Sequence, residues 1–399
     1  MKAAENLNDR VIFLDHHSTT PLDPEALQAM MPYLTTEFGN PSSRAHSLGW
    51  KAEFAVEKAR EQVAELLGCL AQEIVFTSGA TESNNMAILG LAERAGSGHI
   101  ITGQTEHKCV LETVRYLEGK GFTATYLPVD RTGRVNVRDL EEAIRPDTFL
   151  ASLMTANNET GSLHPIRDLG AVCRKRGVYF HTDAAQAVGK IPVDVESMQI
   201  DLLSFSAHKS HGPKGTGVLY VRRKNPRVEL PPLFHGGGQE FGLRPGTVNV
   251  PGAVGTGFVC ARARRHLEDD AAHVGKLRDL LERELRQRIP DLELNGHPTE
   301  RLPQSLNVSF PFVESDSLVA SMRNIAVSSA SACVTAASEP SHVLRAMHVP
   351  ERLVHGSIRF GIGRFNTEEE IRYTAAKVAD NVERLRRSSP LWQMRENHD

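Results

Sequence analysis

The sequence predicts an α/β protein in which a large domain with a mostly parallel seven-stranded sheet is joined to a smaller α+β domain. Seven short apolar runs precede residue 223, and amphipathic stretches, for example 108–119 and 164–176, separate most of them. The runs occupy residues 74–77, 99–102, 123–129, 149–154, 178–183, 202–207 and 217–222. This alternation favours a sheet that helices cover on both faces. Ligands bind such sheets at the carboxyl ends of the strands.

The second half of the chain changes character after the last of these runs. Residues 223–252 are rich in Pro and Gly and are typical of an ordered, functional loop. A long helix is expected next, because apolar residues recur near helical spacing, and Pro290 should end it. Its apolar face consists of Leu267, Ala271, Val274, Leu281, Leu285 and Ile289. Short strands at 306–310 and 357–361 then alternate with helices, which is typical of an α+β domain.

A chain of 399 residues is long enough for two or three domains. We expect a large domain over residues 15–260 and a small domain over residues 261–399, to which the N-terminal segment 1–14 also belongs. With 40% hydrophobic and 24% charged residues, the composition is that of an ordinary globular protein.

Charge and cysteine content argue against several classes of partner. The formal net charge of −3 gives no basic field that would attract nucleic acid or a membrane surface. No apolar run approaches the length of a membrane span, and the run at 11–14 is too short for the core of a signal peptide. Five scattered cysteines without a CxxC pair indicate free thiols in a reducing compartment, which we expect to be the cytoplasm. They are Cys69, Cys109, Cys173, Cys260 and Cys333.

A first candidate site lies in residues 78–83, Ser-Gly-Ala-Thr-Glu-Ser, which follow a predicted strand and open a helix. Free N–H groups and a partial positive charge at a helix N-terminus favour a phosphate. The small residues allow the phosphate to approach, and the Thr81 hydroxyl adds a donor. An ordinary capped helix explains the same residues, because Ser and Thr are common caps.

Asp183 and Lys209 each stand at another predicted strand end. A buried carboxylate is costly without a partner, and a protonated pyridine nitrogen would supply one for Asp183. A lysine in the small, polar loop around Lys209 can link covalently to a carbonyl cofactor. The alternatives are a helix cap for Asp183 and a solvated loop lysine for Lys209, with Lys214 as the rival lysine.

These segments belong to a longer series of sequence blocks that follow one another along the chain. The chain contains the blocks FGNPSSRAH, IVFTSGATESNN, TEHK, NNETG, DAAQ, SFSAHKSHGPKG, HGGGQE, RPGT and SIRF. With these blocks the sequence resembles the cysteine desulfurases that serve iron–sulfur cluster assembly, from residue 14 to residue 392. The resemblance implies the class-V aminotransferase fold, a type I fold of pyridoxal-phosphate-dependent transferases. It also implies a homodimer whose active sites are shared between the subunits.

The resemblance implies that pyridoxal 5'-phosphate is the cofactor and that one set of residues contacts it. These residues are Ala80, Thr81, His107, Asn158, Asp183, Gln186, Ser206, His208, Lys209 and Thr247. Lys209 matches the lysine that holds the cofactor covalently, and Asp183 matches the carboxylate beside the pyridine nitrogen. His107 matches an imidazole that stacks on the ring and moves protons.

Phosphate contacts form a second group within the resemblance. Thr81, Ser206 and His208 match residues that bind the cofactor phosphate. Thr247 matches a threonine that reaches the phosphate of the neighbouring subunit, which is the basis for expecting shared sites.

The substrate side follows from the same resemblance. Gln186 and Asn158 match contacts at the ring hydroxyl, and Asn158 also belongs to the substrate site. Arg359 matches the arginine that binds the substrate carboxylate, for which a planar guanidinium is suited. The plainer alternatives are a helix-start residue for His107 and a surface ion pair for Arg359.

Cys333 is the candidate sulfur carrier. It lies in residues 328–335, Ser-Ser-Ala-Ser-Ala-Cys-Val-Thr, whose small side chains are typical of an accessible loop. A thiol with an ordinary pKa of about 8.5 is partly ionised at neutral pH. Cys109, two residues after His107, is its strongest competitor. The resemblance implies that Cys333 takes sulfur from L-cysteine as a persulfide and passes it to an acceptor protein, for example an iron–sulfur scaffold. The acceptor serves iron–sulfur cluster synthesis or the synthesis of thio-cofactors or thiolated tRNA.

Other functions compete with this prediction. An aminotransferase or a selenocysteine lyase would keep the cofactor, and an aminotransferase would not need Cys333. A metal-dependent hydrolase would use a set of histidines, namely His16, His17, His107, His181 and His208. A catalytically idle partner subunit would have no reason to keep Lys209, Asp183 and Cys333 together.

Overall fold

A computed structural model describes residues 7, 10–329 and 340–396 of the chain. The strands are β1 (Ile12–Phe13), β2 (Ile74–Thr77), β3 (His99–Gly103), β4 (Thr123–Leu127), β5 (Thr148–Ser152), β6 (Tyr179–Asp183), β7 (Leu202–Ser206), β8 (Gly217–Val221), β9 (Glu293–Asn295), β10 (Ser305–Ser309), β11 (Ile325–Ala326), β12 (Ser328–Ser329) and β13 (Ser357–Gly361). The helices are α1 (Pro24–Thr35), α2 (Ser47–Leu67), α3 (Ala80–Ala95), α4 (Lys108–Glu118), α5 (Val137–Ala143), α6 (Ile166–Arg176), α7 (Val250–Arg288), α8 (Ser315–Ser321), α9 (His342–Ala346), α10 (Glu351–Val354), α11 (Glu368–Arg387) and α12 (Pro390–Glu396).

The large sheet has seven strands in the order β2-β8-β7-β6-β5-β3-β4. Strand β8 runs antiparallel to both of its neighbours, and the other neighbouring pairs are parallel. Each of the seven strands lies within or across one of the apolar runs, which confirms the predicted mostly parallel sheet. The agreement follows from length, because runs of four to seven apolar residues suit a buried strand better than a helix.

Helices cover both faces of this sheet because successive strand residues point to opposite sides. Val75 of β2 packs in a buried cluster with side chains of α3 and α4. Its neighbour Phe76 packs in a second cluster with side chains of α2 and α6. The sheet is therefore buried on both faces, and the exposed carboxyl ends of its strands are left to carry polar groups.

A smaller antiparallel sheet has the strand order β12-β13-β10-β9. Its core includes Leu281 of α7 and Val378 of α11, and Ile12 and Leu14 from the N-terminal segment join it. Strand β1 pairs in parallel with β11 beside it. The predicted boundary at residue 260 falls inside α7, and the division into two domains stays a prediction.

Helix α7 begins earlier than the sequence pattern indicates. The Asn249 side chain accepts a hydrogen bond from the Gly252 backbone N–H over 3.1 Å, and Pro251 lies in the first turn. These two start signals lie inside the stretch 223–252, which was expected to be a loop throughout. The helix ends at Arg288, two residues before Pro290, as predicted. In the part of the chain that the structure describes, no helix combines the length and apolar character needed to cross a membrane.

Candidate active site

A cavity of about 600 Å³ lies at the carboxyl ends of the large-sheet strands. Its lining contains nearly all predicted site residues that the structure describes. They are Ala80, Thr81, His107, Asn158, Asp183, Gln186, Ser206, His208, Lys209 and Arg359. Thr247 is exposed and lies outside the lining. Cys333 lies outside the described residues, so its position stays a prediction.

The start of helix α3 forms one end of the cavity. Its N-cap, Gly79, provides no side-chain cap, so the first N–H groups of the helix remain available to a ligand. A Cβ atom at Gly217 would lie 2.4 Å from the Gly79 Cα, so a glycine is needed for this close approach of β8. N–H donors at the positive end of a helix are a chemical match for a phosphate.

Hydroxyl and imidazole groups complete this end. Thr81, Ser206 and His208 line it beside the helix start. The His208 Nδ1 lies 3.0 Å from the Thr19 hydroxyl, which fixes the ring. Burial lowers the pKa of His208 to about 4, so the ring is neutral at pH 7 and binds as a hydrogen-bonding group.

Asp183 ends strand β6 and is 6% exposed. Its Oδ2 accepts from the Asn84 side-chain amide over 2.7 Å, and its Oδ1 accepts from the Ala185 backbone N–H over 2.9 Å. A carboxylate can accept about four hydrogen bonds, so capacity remains on the cavity side. The site therefore fits a cationic N–H group such as a protonated pyridine nitrogen.

Lys209 follows strand β7 in a short 3₁₀ turn, Ala207–Lys209, which directs it to the same cavity. Its ammonium donates to the backbone carbonyls of His17 and of Ser18, the latter over 2.9 Å. The Gln186 side chain donates to the same His17 carbonyl over 2.9 Å. The N-terminal segment thus holds Lys209 and Gln186 side by side.

Arg359 of β13 is 5% exposed and reaches the cavity from the smaller sheet. It donates to the Asn158 carbonyl over 2.9 Å and to the carboxylate of Asp15 and the hydroxyl of Ser18, each over 2.8 Å. Its Nε has no hydrogen-bond partner among the described residues. A buried, fixed guanidinium of this kind suits an anionic substrate group and is not the surface ion pair of the plainer alternative.

His107 caps the start of α4 and also lines the cavity, so its helix-start role and its site position coexist. Its Nδ1 accepts from the Cys109 backbone N–H over 3.2 Å. Loss of hydration lowers the pKa of His107, which favours a neutral ring at pH 7. Burial raises the pKa of Cys109 to about 12, so its thiol stays protonated and is a poor nucleophile.

The remaining histidines of the metal-hydrolase alternative form hydrogen bonds within the fold, and the His17 Nε2 lies 2.5 Å from the Ser305 hydroxyl. The ring of His181 is held between the hydroxyls of Ser152 and Ser204, at 2.8 and 3.0 Å. His16 hydrogen-bonds the Gly361 carbonyl over 2.9 Å. Within residues 10–329 and 340–396 no three His, Cys, Asp or Glu side chains are grouped so that they could hold a metal ion. That alternative therefore has no ligand set in this part of the chain.

Sequence reasoning missed several residues that shape the cavity. Asn84, the partner of Asp183, carries no recognisable signal, because a polar residue inside a helix pattern is ordinary. His17 and Ser18 also line the cavity, but the sequence suggests His17 only as a ligand of the metal-hydrolase alternative and predicts no role for Ser18.

Comparison with known proteins places the chain among enzymes. A sequence profile described as aminotransferase class-V matches residues 12–373. The chain is 53% identical to a cysteine desulfurase of Mus musculus over 387 residues, which cover 96% of this chain and 84% of that protein. It is 52% identical to the cysteine desulfurase IscS of Anaeromyxobacter dehalogenans over 385 residues, which cover 96% of this chain and 95% of that protein. A solved NifS-like protein superimposes with a TM-score of 0.87 at 40% identity, over 94% of this chain and 99% of that chain.

Both the sequence and the fold therefore match over nearly the whole chain, which confirms the predicted family and fold. These families depend on pyridoxal phosphate, and the cavity brings a helix start, a carboxylate and a lysine together in one place. From this combined evidence we conclude that the chain belongs to the cysteine desulfurase family, within the class-V aminotransferases.

Proposed function

We propose that this chain is a pyridoxal-phosphate enzyme that converts L-cysteine to L-alanine and transfers the sulfur to Cys333 as a persulfide. The observation that carries the proposal is the shared cavity, in which the start of α3, Asp183, Lys209 and Arg359 face one space. The reaction balances, because L-cysteine and a thiol give L-alanine and a persulfide with no external oxidant or reductant.

The chemistry of the cavity lining fits the cofactor. The N–H groups at the start of α3, with Thr81, Ser206 and His208, would hold its phosphate. Asp183 would keep its pyridine nitrogen protonated, and Lys209 would provide the covalent link. When bound, pyridoxal phosphate supplies an electron sink for bonds at the substrate α-carbon.

The protein side chains orient the substrate and move its protons. Arg359 binds the substrate carboxylate, and Asn158, whose carbonyl accepts from Arg359, lies beside it. Lys209 would be the base that takes the α-proton of the substrate. Neutral His107, which lines the same cavity, would accept or return a proton there.

Cys333 acts on the sulfur. Its thiolate attacks the sulfur of L-cysteine, an S–S bond forms and the carbon–sulfur bond breaks. The electron pair of that bond stays with the substrate carbon, which takes a proton to become the alanine methyl group. Burial raises the pKa of each of the four cysteines that the structure describes, to about 12 for Cys109, Cys173 and Cys260, so these thiols stay protonated at pH 7.

Chain connectivity supports access of Cys333 to the cavity. Arg359 donates to the Ser328 hydroxyl over 3.2 Å, so residue 328 is directly tied to a residue of the cavity lining. Cys333 follows five residues later, and such a length of chain reaches at most about 18 Å. This short spacing supports the proposed role of Cys333 in sulfur transfer.

Two partners follow from the proposal. The persulfide is passed to an acceptor protein, and an iron–sulfur scaffold is one candidate. A second copy of the chain completes the site through Thr247, which is exposed at the surface. Large apolar side chains on or beside α1 and α2 are exposed and suit such a homodimer, namely Leu34, Phe38, Trp50 and Phe54.

The scattered free thiols support a reducing compartment such as the cytoplasm.

The closest competing activities share the cofactor. An aminotransferase would turn over without Cys333, and a selenocysteine lyase would favour L-selenocysteine over L-cysteine. Parallel assays of both amino acids with the wild type and Cys333→Ser separate these possibilities.

Borohydride reduction followed by peptide mapping tests the cofactor assignment. We expect the pyridoxyl group on Lys209, with loss of the label in Lys209→Ala and its retention in the matched control Lys214→Ala. A label on Lys214 in the wild type, or on no lysine, would overturn the assignment.

A further inference from the structure

Ser341 and His342 hydrogen-bond two segments of the active site. The Ser341 hydroxyl donates to the Glu159 carboxylate over 2.5 Å, and both residues are buried. The His342 Nε2 donates to the Glu106 backbone carbonyl over 3.0 Å. We call these two hydrogen bonds the clasp.

The partners in the clasp are direct neighbours of proposed site residues. Glu106 precedes His107, and Glu159 follows Asn158. Each partner lies in a loop that follows a strand of the large sheet and is held by a further hydrogen bond. The Glu106 carboxylate accepts from the Met154 N–H over 2.8 Å, and the Glu159 N–H donates to the Asn157 side chain over 2.8 Å. The clasp therefore joins the chain at 341–342 to a rigid support beside the cavity.

Residues 328 and 341 flank the stretch that contains Cys333. Arg359 holds the near side through the Ser328 hydroxyl, and the clasp holds the far side. Cys333 is five residues from the first anchor and eight from the second. In general, anchors on both sides of a segment raise the effective concentration of a group on that segment near the anchored site.

Helix capping alone does not explain the clasp. Ser341 does cap α9, because its hydroxyl accepts from the Leu344 N–H over 3.1 Å. A cap needs no buried carboxylate as a further partner, yet Ser341 has one in Glu159. His342 reaches away from its own helix to a carbonyl in the loop between β3 and α4, which no cap requires.

We infer that Ser341 and His342 are positioning residues for sulfur transfer. They fix the point from which the Cys333 segment extends, so that the thiol meets the substrate sulfur in a productive geometry. This inference rests on the proposed role of Cys333. Displacement of a reacting group by about 1 Å costs on the order of 10²-fold in rate. Loss of the clasp should therefore slow persulfide formation by about 10- to 100-fold.

Two half-reactions distinguish a loss of Cys333 positioning from general damage to the active site. Exchange of the α-hydrogen of L-alanine in deuterated water needs the cofactor site but not Cys333. Persulfide formation from L-cysteine needs both. We expect His342→Leu and Ser341→Ala to keep the exchange rate within about twofold while persulfide formation falls as stated.

Conservative variants and a control complete the design. His342→Gln and Ser341→Thr keep a donor and should recover most of the persulfide rate. The control variant is His355→Leu. His355 is exposed and lies outside the clasp, so this variant should behave as wild type. His342 is only partly buried, so its variants decide the question even if Ser341→Ala fails to fold.

Wild-type persulfide formation by His342→Leu, or equal losses in exchange and persulfide formation, would overturn the inference. Full persulfide and alanine production by Cys333→Ser would instead defeat the proposed function, so the two failures can be told apart.

Discussion

The side-chain amide of Asn84 donates to the carboxylate of Asp183 over 2.7 Å, and both side chains are buried. Asn84 belongs to α3, the helix whose start forms one end of the cavity. One helix therefore both lines an end of the cavity and orients the Asp183 carboxylate.

Asp183→Asn should keep the cofactor bound but slow turnover of L-cysteine by about 10²–10³-fold, the usual effect of removing one preorganised electrostatic partner. The reason is that a neutral amide cannot hold the pyridine nitrogen in its charged form. The affected step is removal of the α-proton, and exchange of the α-hydrogen of the amino acid, monitored by mass spectrometry, measures its rate. Near-normal exchange in Asp183→Asn would show that the carboxylate has another role.

Arg359→Ala should raise the KM for L-cysteine more than it lowers kcat. The guanidinium contributes charge-assisted hydrogen bonds, and a loss of about 1.5–3 kcal/mol corresponds to roughly 10- to 150-fold in affinity. Steady-state kinetics measure both constants, and cysteamine, which lacks the carboxylate, serves as the control substrate. Equal sensitivity of L-cysteine and cysteamine to the substitution would contradict a carboxylate clamp.

Lys190 lies 3.5 Å from the Gln186 side chain, close to Lys209 and Arg359. Burial, reinforced by these cations, lowers the pKa of Lys190 to about 7 from an ordinary value of 10.5. Between these two pH values the unfolded state binds more protons than the folded state, so this residue makes stability rise with pH. The cost of charging it in the folded state is fully present below about pH 7.

Lys190→Met should therefore stabilise the protein relative to wild type more at pH 6 than at pH 10. Urea unfolding of both proteins at each pH gives the comparison. An identical difference at the two pH values would show that Lys190 has no shifted pKa in the folded protein.

Thr247 provides a test of the shared site. Co-expressed subunits carrying Lys209→Ala and Thr247→Ala should form mixed dimers in which one site keeps both wild-type residues. About half of the sites should then bind the cofactor with wild-type affinity, whereas each parent homodimer should not. Absence of any recovery in the isolated mixed dimer, or a fully active monomer in sedimentation, would contradict the arrangement.

Much of the fold could be predicted because short apolar runs with polar ends determine buried strands. Asp183 and Lys209 could be placed together for the same reason, since parallel strands bring their carboxyl ends to one edge. Asn84 could not be identified, because its contact depends on how α3 packs over the sheet. The contact of Lys209 with the His17 carbonyl could not be predicted either, because every residue has a backbone carbonyl and residue type does not identify the one that accepts. The early start of α7 was masked by the Pro and Gly content around Asn249.

The central claim is that Cys333 carries the sulfur, and peptide mass spectrometry after brief exposure to L-cysteine tests it most directly. Cys109→Ser and Cys333→Ser form the matched pair, because Cys109 lines the cavity with a thiol whose pKa burial raises to about 12. We predict one additional sulfur on the Cys333 peptide in the wild type and in Cys109→Ser, and neither persulfide nor alanine from Cys333→Ser. Additional sulfur on the Cys109 peptide alone, or full alanine production by Cys333→Ser, would contradict the account.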